Sequence, residues 1–342
     1  MTLTTVKQKL IILLLLQVSV LQSLGLSSSN LQNTASELNP LHAFRVSSLH
    51  ALSVEYALEY PQEIIVIPLK RAGNLILLDA IVDNQQGNLI LDSGSSSFVL
   101  NSIYFGRGHR STVAGAGGVT GGVTHAGKTR IRDLELPGIR FSRINAHLAD
   151  LGHIEQARGV KVLGFFGLGL LRDFEMVIDL VSGVLELRSI STRGLNYFRG
   201  ITPHNYDLVI PVRIESDVVF FDAHINRRRL SFCLDTGAET NVLSSNLPSA
   251  VLNTVEILSR SNLRGAGNQV VEVLHGNITD FSIGEFFLPG MSTLITNLRA
   301  MSGYYGVNID GMLGSDFLEK GVFTLNMRSK ELGIVFNKAQ DE

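Results

Sequence analysis

Tryptophan is absent from this 342-residue chain, and cysteine occurs once. A single cysteine excludes an intrachain disulfide framework and any structural zinc site built on several thiolates. A surplus of positive charge is missing too. The 29 Lys and Arg against 31 Asp and Glu give a net charge of -2, so nothing is left over to neutralise a phosphate backbone and no nucleic-acid partner is expected. Charged residues reach only 18%, and Pro is limited to 8 positions. What is plentiful is apolar: 45% of the chain, enough for a sizeable core and against global disorder. The 33 glycines, set among many Val, Leu and Ile, lean toward a turn-rich β protein. The length fits two domains or one bilobed unit.

The first segment reads as an address. Lys7 and Lys9 precede the apolar run Leu10 to Leu16, which continues more weakly to Leu26. Basic residues, an apolar stretch and then the small residues Ser23 and Gly25 fit a signal peptide over 1–25, with cleavage after Gly25. An uncleaved anchor is the alternative, but Gln17, Ser19, Gln22 and Ser23 interrupt the run before it reaches the roughly 20 residues a spanning helix needs. The expectation is an exported protein, periplasmic or secreted, with no membrane role beyond export. Residues 26–60 read as a linker or prosegment. With Arg45 their only strong base against Glu37, Glu55 and Glu59, they are ill equipped to neutralise an acidic cleft, so linker plus edge structure is favoured.

The chain then repeats itself. Ile67-Pro68-Leu69-Lys70 returns as Ile210-Pro211-Val212-Arg213, Leu91-Asp92-Ser93-Gly94 as Leu234-Asp235-Thr236-Gly237, and Val99-Leu100 as Val242-Leu243, each pair 143 residues apart. Gly164-Phe165-Phe166-Gly167 returns as Gly311-Met312-Leu313-Gly314 at a spacing of 147. Two homologous lobes follow, over 61–196 and 205–342. Each reads mainly as strands: Glu63 to Lys70, Asn74 to Asp83 and Asn88 to Asp92, then hairpins at 174–187 and 320–336. Leu168–Phe174 and Ser315–Lys320 read as one short helix per lobe.

Both lobes place an apolar strand directly before Asp, a hydroxyl residue and Gly. The strand carries the carboxyl into a partly desolvated place, the glycine allows the tight turn that aims it, and the hydroxyl can bond across a pseudo-dyad. One such tripeptide is a common turn; two at equivalent positions of a duplication are specific. Leu91-Asp92-Ser93-Gly94-Ser95-Ser96 resembles the N-terminal active-site loop of pepsin-like aspartic proteases. Leu234-Asp235-Thr236-Gly237-Ala238-Glu239-Thr240 resembles the retropepsin loop. The later Val162–Gly167 and Ile309–Leu318 stretches resemble the apolar-apolar-Gly signature of the same clan. The resemblance covers about 61–342.

It implies an all-β, bilobed acid-protease fold, with two β-barrel-like lobes related by a pseudo-twofold and an active site in the cleft between them. It implies an aspartic endopeptidase with a polypeptide substrate, a water activated between Asp92 and Asp235, and neither cofactor nor metal. Ser93 and Thr236 would form crossing hydroxyl bonds, Gly94 and Gly237 would orient the carboxylates, and Ser95 and Ala238 would complete the loops. Phe166, Gly167, Leu313 and Gly314 would brace them. Because one chain supplies both aspartates, an active monomer, an internal pseudo-dimer, is expected.

A flap is expected in each lobe. Gly115, Gly117 and Gly118 fall in the Gly-rich stretch Val113–Gly127, and Gly265 and Gly267 in a sparser second version. The first stretch contains no tyrosine, unlike the flap of pepsin. Other signals are discounted. The glycine run lacks a phosphate-loop pattern, and Gly94-Ser95-Ser96-Ser97-Phe98 fails the serine-hydrolase elbow. Nine histidines show no His-Glu-x-x-His spacing, and His147 and His153 read as surface residues. Cys233 reads as a small buried hydrophobe and Arg227-Arg228-Arg229 as a solvated turn. A catalytically silent peptide-binding protein of the same fold is the competing reading, and a two-carboxylate glycosidase a weaker one.

Overall fold

The computed structural model describes residues 44–46, 55–58, 64–95, 97–106, 113–118, 121–125, 127–191, 193–195, 205–264 and 270–337. The segment read as a signal peptide lies outside them, as do Gly265 and Gly267. No helix among the described residues is long and apolar enough to cross a membrane.

In the first lobe, short β-branched runs alternate with tight turns, as the sequence pattern requires. Leu75–Val82 and Gln85–Asp92 are joined by Asp83-Asn84, both at positive φ (43° and 68°), the conformation a two-residue hairpin turn demands. The equivalent turn of the second lobe, Asn226-Arg227, repeats it at 51° and 57°. Of the three arginines there, Arg227 sits in the turn and the other two begin a strand, where Arg229 pairs with Asp222.

Six strands of the first lobe close into a barrel, in the order Leu75–Val82, Gln85–Asp92, Val162–Gly167, Val99–Asn101, Ile139–Ala149, Gly127–Leu136. Ile81 opposite Glu135 and Val82 opposite Leu134 close the ring. The second lobe builds the same ladder from Val218–Ile225, Arg228–Leu234, Gly311–Leu313, Asn241–Ser244, Met291–Thr296 and Val270–Ile278. There the closing strand is interrupted after Ile278, where the Thr279 hydroxyl donates to the Thr254 carbonyl at 2.6 Å. Beyond that break Phe281 and Ser282 stand opposite Ile225 and His224, and the sheet of this lobe is a half-barrel.

The lobes are joined by six antiparallel strands. Ile64–Ala72, Val184–Ser189 and Phe174–Asp179 come from the first, and Gly321–Asn326, Glu331–Phe336 and Leu208–Pro211 from the second. Pro68 and Pro211 fall on the outer strands, where a missing N–H is tolerated. The two expected helices are single turns, a 3₁₀ turn at Leu168–Leu171 and an α turn at Ser315–Leu318. They are shorter than the sequence suggests because Phe174 and Gly321 are already committed to the joining sheet.

Two strands precede the first lobe. Phe44–Val46 pairs with Glu55–Leu58, which adds antiparallel to Ile139–Ser142. Tyr56 turns inward against Phe174 and Phe141, with ring centroids 5.1 and 6.3 Å away. The lobe cores are rich in phenylalanine: Phe141, Phe166 and Phe174 in the first and Phe221, Phe281 and Phe317 in the second are fully buried. Each such side chain stabilises the fold by about 1.5–3 kcal/mol through area removed from water.

Candidate active site

Asp92 ends the strand Gln85–Asp92, and Asp235 follows the strand Arg228–Leu234. Each of these strands runs in parallel beside the apolar-apolar-Gly strand of its own lobe. Phe166 stands opposite Leu91 and Gly167 opposite Asp92; Leu313 stands opposite Leu234, and its carbonyl accepts from the Asp235 N–H at 2.9 Å. The glycines of the brace are there for contact. A Cβ on Gly167 would lie 2.7 Å from the Ser95 carbonyl oxygen, and one on Gly314 would lie 2.5 Å from that of Ala238. Any side chain would push the two Asp-hydroxyl-Gly loops away.

The loops grip each other across the lobes. The Ser93 N–H donates to Thr236 Oγ1 at 2.9 Å, and the Thr236 N–H donates to Ser93 Oγ at 2.8 Å. The hydroxyls pass the network on, Ser93 to the Leu234 carbonyl and Thr236 to the Leu91 carbonyl, both at 2.8 Å. All four groups are buried, so each bond is shielded from competing water. This holds Asp92 and Asp235 side by side, each only 1% exposed.

Each carboxyl also accepts from the glycine two residues on: Gly94 N–H to Asp92 Oδ1 and Gly237 N–H to Asp235 Oδ1, both at 2.9 Å. A Cβ on Gly237 would lie 2.9 Å from Asp92 Cγ, so only glycine lets the second loop approach the first carboxyl. Ser95 and Ala238 close the turns, donating to the Asp92 and Asp235 carbonyls at 3.2 and 3.1 Å.

Electrostatics follow from burial. Desolvation raises the Asp92 carboxyl to about 6, against the pull of the Gly94 amide. Asp235 is pushed well above the ordinary carboxylate range, first by desolvation and then by the charge of Asp92. Asp235 Oδ2 is buried without a hydrogen-bond partner among the described residues, and Asp92 is the neighbouring carboxyl that acts on Asp235. Two buried carboxyls so placed disfavour double ionisation, which favours a shared proton.

The first-lobe flap stretch forms a hairpin of Val113–Gly118 and Gly121–His125 that includes Gly115, Gly117 and Gly118, and its first strand lies against the second-lobe helix Arg299–Tyr305. The corresponding hairpin of the second lobe pairs Val255–Arg264 with Val270–Ile278. Cys233 is fully buried two residues before Asp235, and its thiol is pushed well above its ordinary range by burial. His147 and His153 are half-buried rather than on the surface, because their strand and helix pack against the lobe; Nε2 of His153 is enclosed. No group of three or more His, Cys, Asp or Glu among the described residues could hold a metal ion.

Several residues at the site were not legible in the sequence. The Tyr305 hydroxyl donates to the Gly94 carbonyl at 3.0 Å, from the second lobe to the first. Arg158 forms a partly buried ion pair with Glu239, whose carboxylate also accepts from the Asn74 N–H at 3.2 Å. The repeat spacing of 147 makes Tyr305 and Arg158 counterparts, but it does not reveal their partners.

Residues 221–317 match the family model of aspartyl proteases. The match supports an aspartic protease family, and with it a hydrolase of the peptidase class. The matched stretch contains Asp235-Thr236-Gly237 and the brace around Leu313 and Gly314. The Asp92 loop lies outside it and is tied to it by the internal repeat and the reciprocal bonds. No curated protein matches the chain.

Proposed function

We propose that the protein is an aspartic endopeptidase that hydrolyses peptide bonds with a water activated between Asp92 and Asp235. The observation that carries this reading is the pair itself: two buried carboxyls side by side, each aimed by a glycine amide and locked by the reciprocal Ser93–Thr236 bonds. The ionised member of the pair accepts a proton from the water, and the protonated member donates a hydrogen bond to the scissile carbonyl as the water attacks. The proton is then delivered to the leaving amine, which restores the starting state. Preorganised donors hold the carboxyls, so little reorganisation is needed during reaction. Gly-rich hairpins suit a lid that opens for a peptide and closes to exclude water.

The reading includes export from the cell and activity as a monomer, since one chain carries both aspartates. It is tested by exposing a diverse peptide library to the protein across about pH 3 to 8, beside Asp92→Asn and Asp235→Asn. Cleavage by the parent and loss in both variants, with folding retained, is the expected result. A folded parent that cleaves nothing at any pH would overturn the proposal in favour of a silent peptide-binding protein. Near-full activity in either variant would overturn the shared dyad.

A further inference from the structure

The helices Gly152–Arg158 and Arg299–Tyr305 end at counterpart residues, and each reaches into the active-site loop of the opposite lobe. The reach is chemically unequal. Arg158 meets the Glu239 carboxylate, four residues after Asp235, whereas Tyr305 donates to the Gly94 carbonyl, two residues after Asp92. The Gly94 carbonyl and the Ser95 N–H belong to one peptide unit. That N–H is directed at Asp92, where it hydrogen-bonds the backbone oxygen at 3.2 Å and also faces the carboxyl.

We infer that Tyr305 is a positioning residue for Asp92: its hydroxyl fixes the plane of the Gly94–Ser95 peptide, so that the Ser95 N–H is held toward the carboxyl and favours its ionised form. Two physical effects act together. The bond removes the freedom of that peptide to rotate, and a carbonyl that accepts a hydrogen bond polarises the N–H of the same unit into a better donor. Burial makes both strong, since the Tyr305 ring is packed against Phe220 and its hydroxyl bond is buried. The groups facing Tyr305 are Asp92, Asp235, Cys233 and Tyr304, and the carboxyls are the ones that titrate in the working range.

The helix that carries Tyr305 also lies against the first-lobe flap strand Val113–Gly118. One element therefore lies against both the glycine-rich strand and the Asp92 loop, and the Tyr305 hydroxyl is its hydrogen bond to that loop. On the second-lobe loop the counterpart contact is an ion pair, which breaks the symmetry of the dyad.

The inference rests on the proposed peptidase reading for its kinetic consequence but not for its primary test. That test is direct titration of Asp92 by carboxyl ¹³C NMR, assigned with Asp92→Asn, in the parent and in Tyr305→Phe, with Tyr304→Phe as the control. Removing the hydroxyl should move the Asp92 titration upward by about half a pH unit or more, with no movement in the control. The kcat/KM profile should move its acid limb the same way, with kcat lowered about tenfold and KM little changed. In the parent, the Tyr305 ¹³Cζ resonance should step at the Asp92 titration, which keeps the test available even if Tyr305→Phe folds poorly. Identical Asp92 titrations in parent and variant, or no step at Tyr305, would overturn the inference. A parent with the expected titrations and no peptide cleavage would overturn the peptidase reading alone.

Discussion

Val177 stands directly opposite Thr324 in the ladder that joins the lobes, and each is the other's counterpart in the repeat. A residue that faces its own counterpart marks a twofold relationship, here internal to one chain. Ser93 and Thr236, 143 residues apart, show the same relationship through reciprocal hydrogen bonds. Joining sheet and active-site loops thus share one pseudo-dyad.

Thr236→Val keeps the shape of the side chain and removes its hydroxyl. The Ser93 N–H and the Leu91 carbonyl would both lose a buried partner. Each orphaned group costs about 1–3 kcal/mol, so the variant should lose about 2–5 kcal/mol in urea denaturation. A loss below about 0.5 kcal/mol would show that the grip contributes little to the fold.

The pH dependence of activity follows from the raised carboxyls. In the proposed mechanism one carboxyl of the pair must be ionised to accept a proton from water, and burial pushes that of Asp92 up to about 6. The expected kcat/KM therefore rises with pH through about 6, and is lower near pH 3.5 than near pH 6.5. A maximum below about pH 4 would contradict the burial argument.

Stability should run the other way. A carboxyl raised from 3.8 to about 6 by folding binds its proton more tightly in the folded state. Its stabilising effect is complete below the unfolded value and is lost as pH rises through the folded one. Asp92→Asn removes this dependence. It should match the parent near pH 4 and exceed it near pH 7.5 by about 2–3 kcal/mol, measured by denaturation at both values.

Tyr56 lies in a strand before the first repeat and is 7% exposed, packed on Phe174 and Phe141. Tyr56→Ala should cost about 3–5 kcal/mol, read as a lower melting temperature. An unchanged melting temperature would show that the Glu55–Leu58 strand is dispensable.

Cys233 packs among Phe220, Val242 and Met312, its thiol held protonated by burial. In the folded protein it should resist alkylation at neutral pH, and Cys233→Ala should lower stability by about 1–3 kcal/mol while leaving the pH profile in place. Loss of activity in a folded Cys233→Ala protein would reopen a thiol mechanism.

Much of this was legible in the amino-acid sequence. Asp-Ser-Gly and Asp-Thr-Gly at a spacing of 143, the apolar-apolar-Gly strands at 147 and the two terminal hairpins are patterns among neighbours, repeated because the lobes repeat. Strand alternation, turn residues and glycines at close approaches are local requirements, and local requirements are written in consecutive residues. Tertiary structure alone decided the rest. Tyr305 and Gly94 are 211 residues apart, and nothing near either one names the other. Arg158 with Glu239, Tyr56 in the first core, and the break after Ile278 in the second lobe are of the same kind. Such pairings depend on how twisted sheets curve and where two lobes meet, and that geometry is the sum of many weak contacts rather than a property of any short segment.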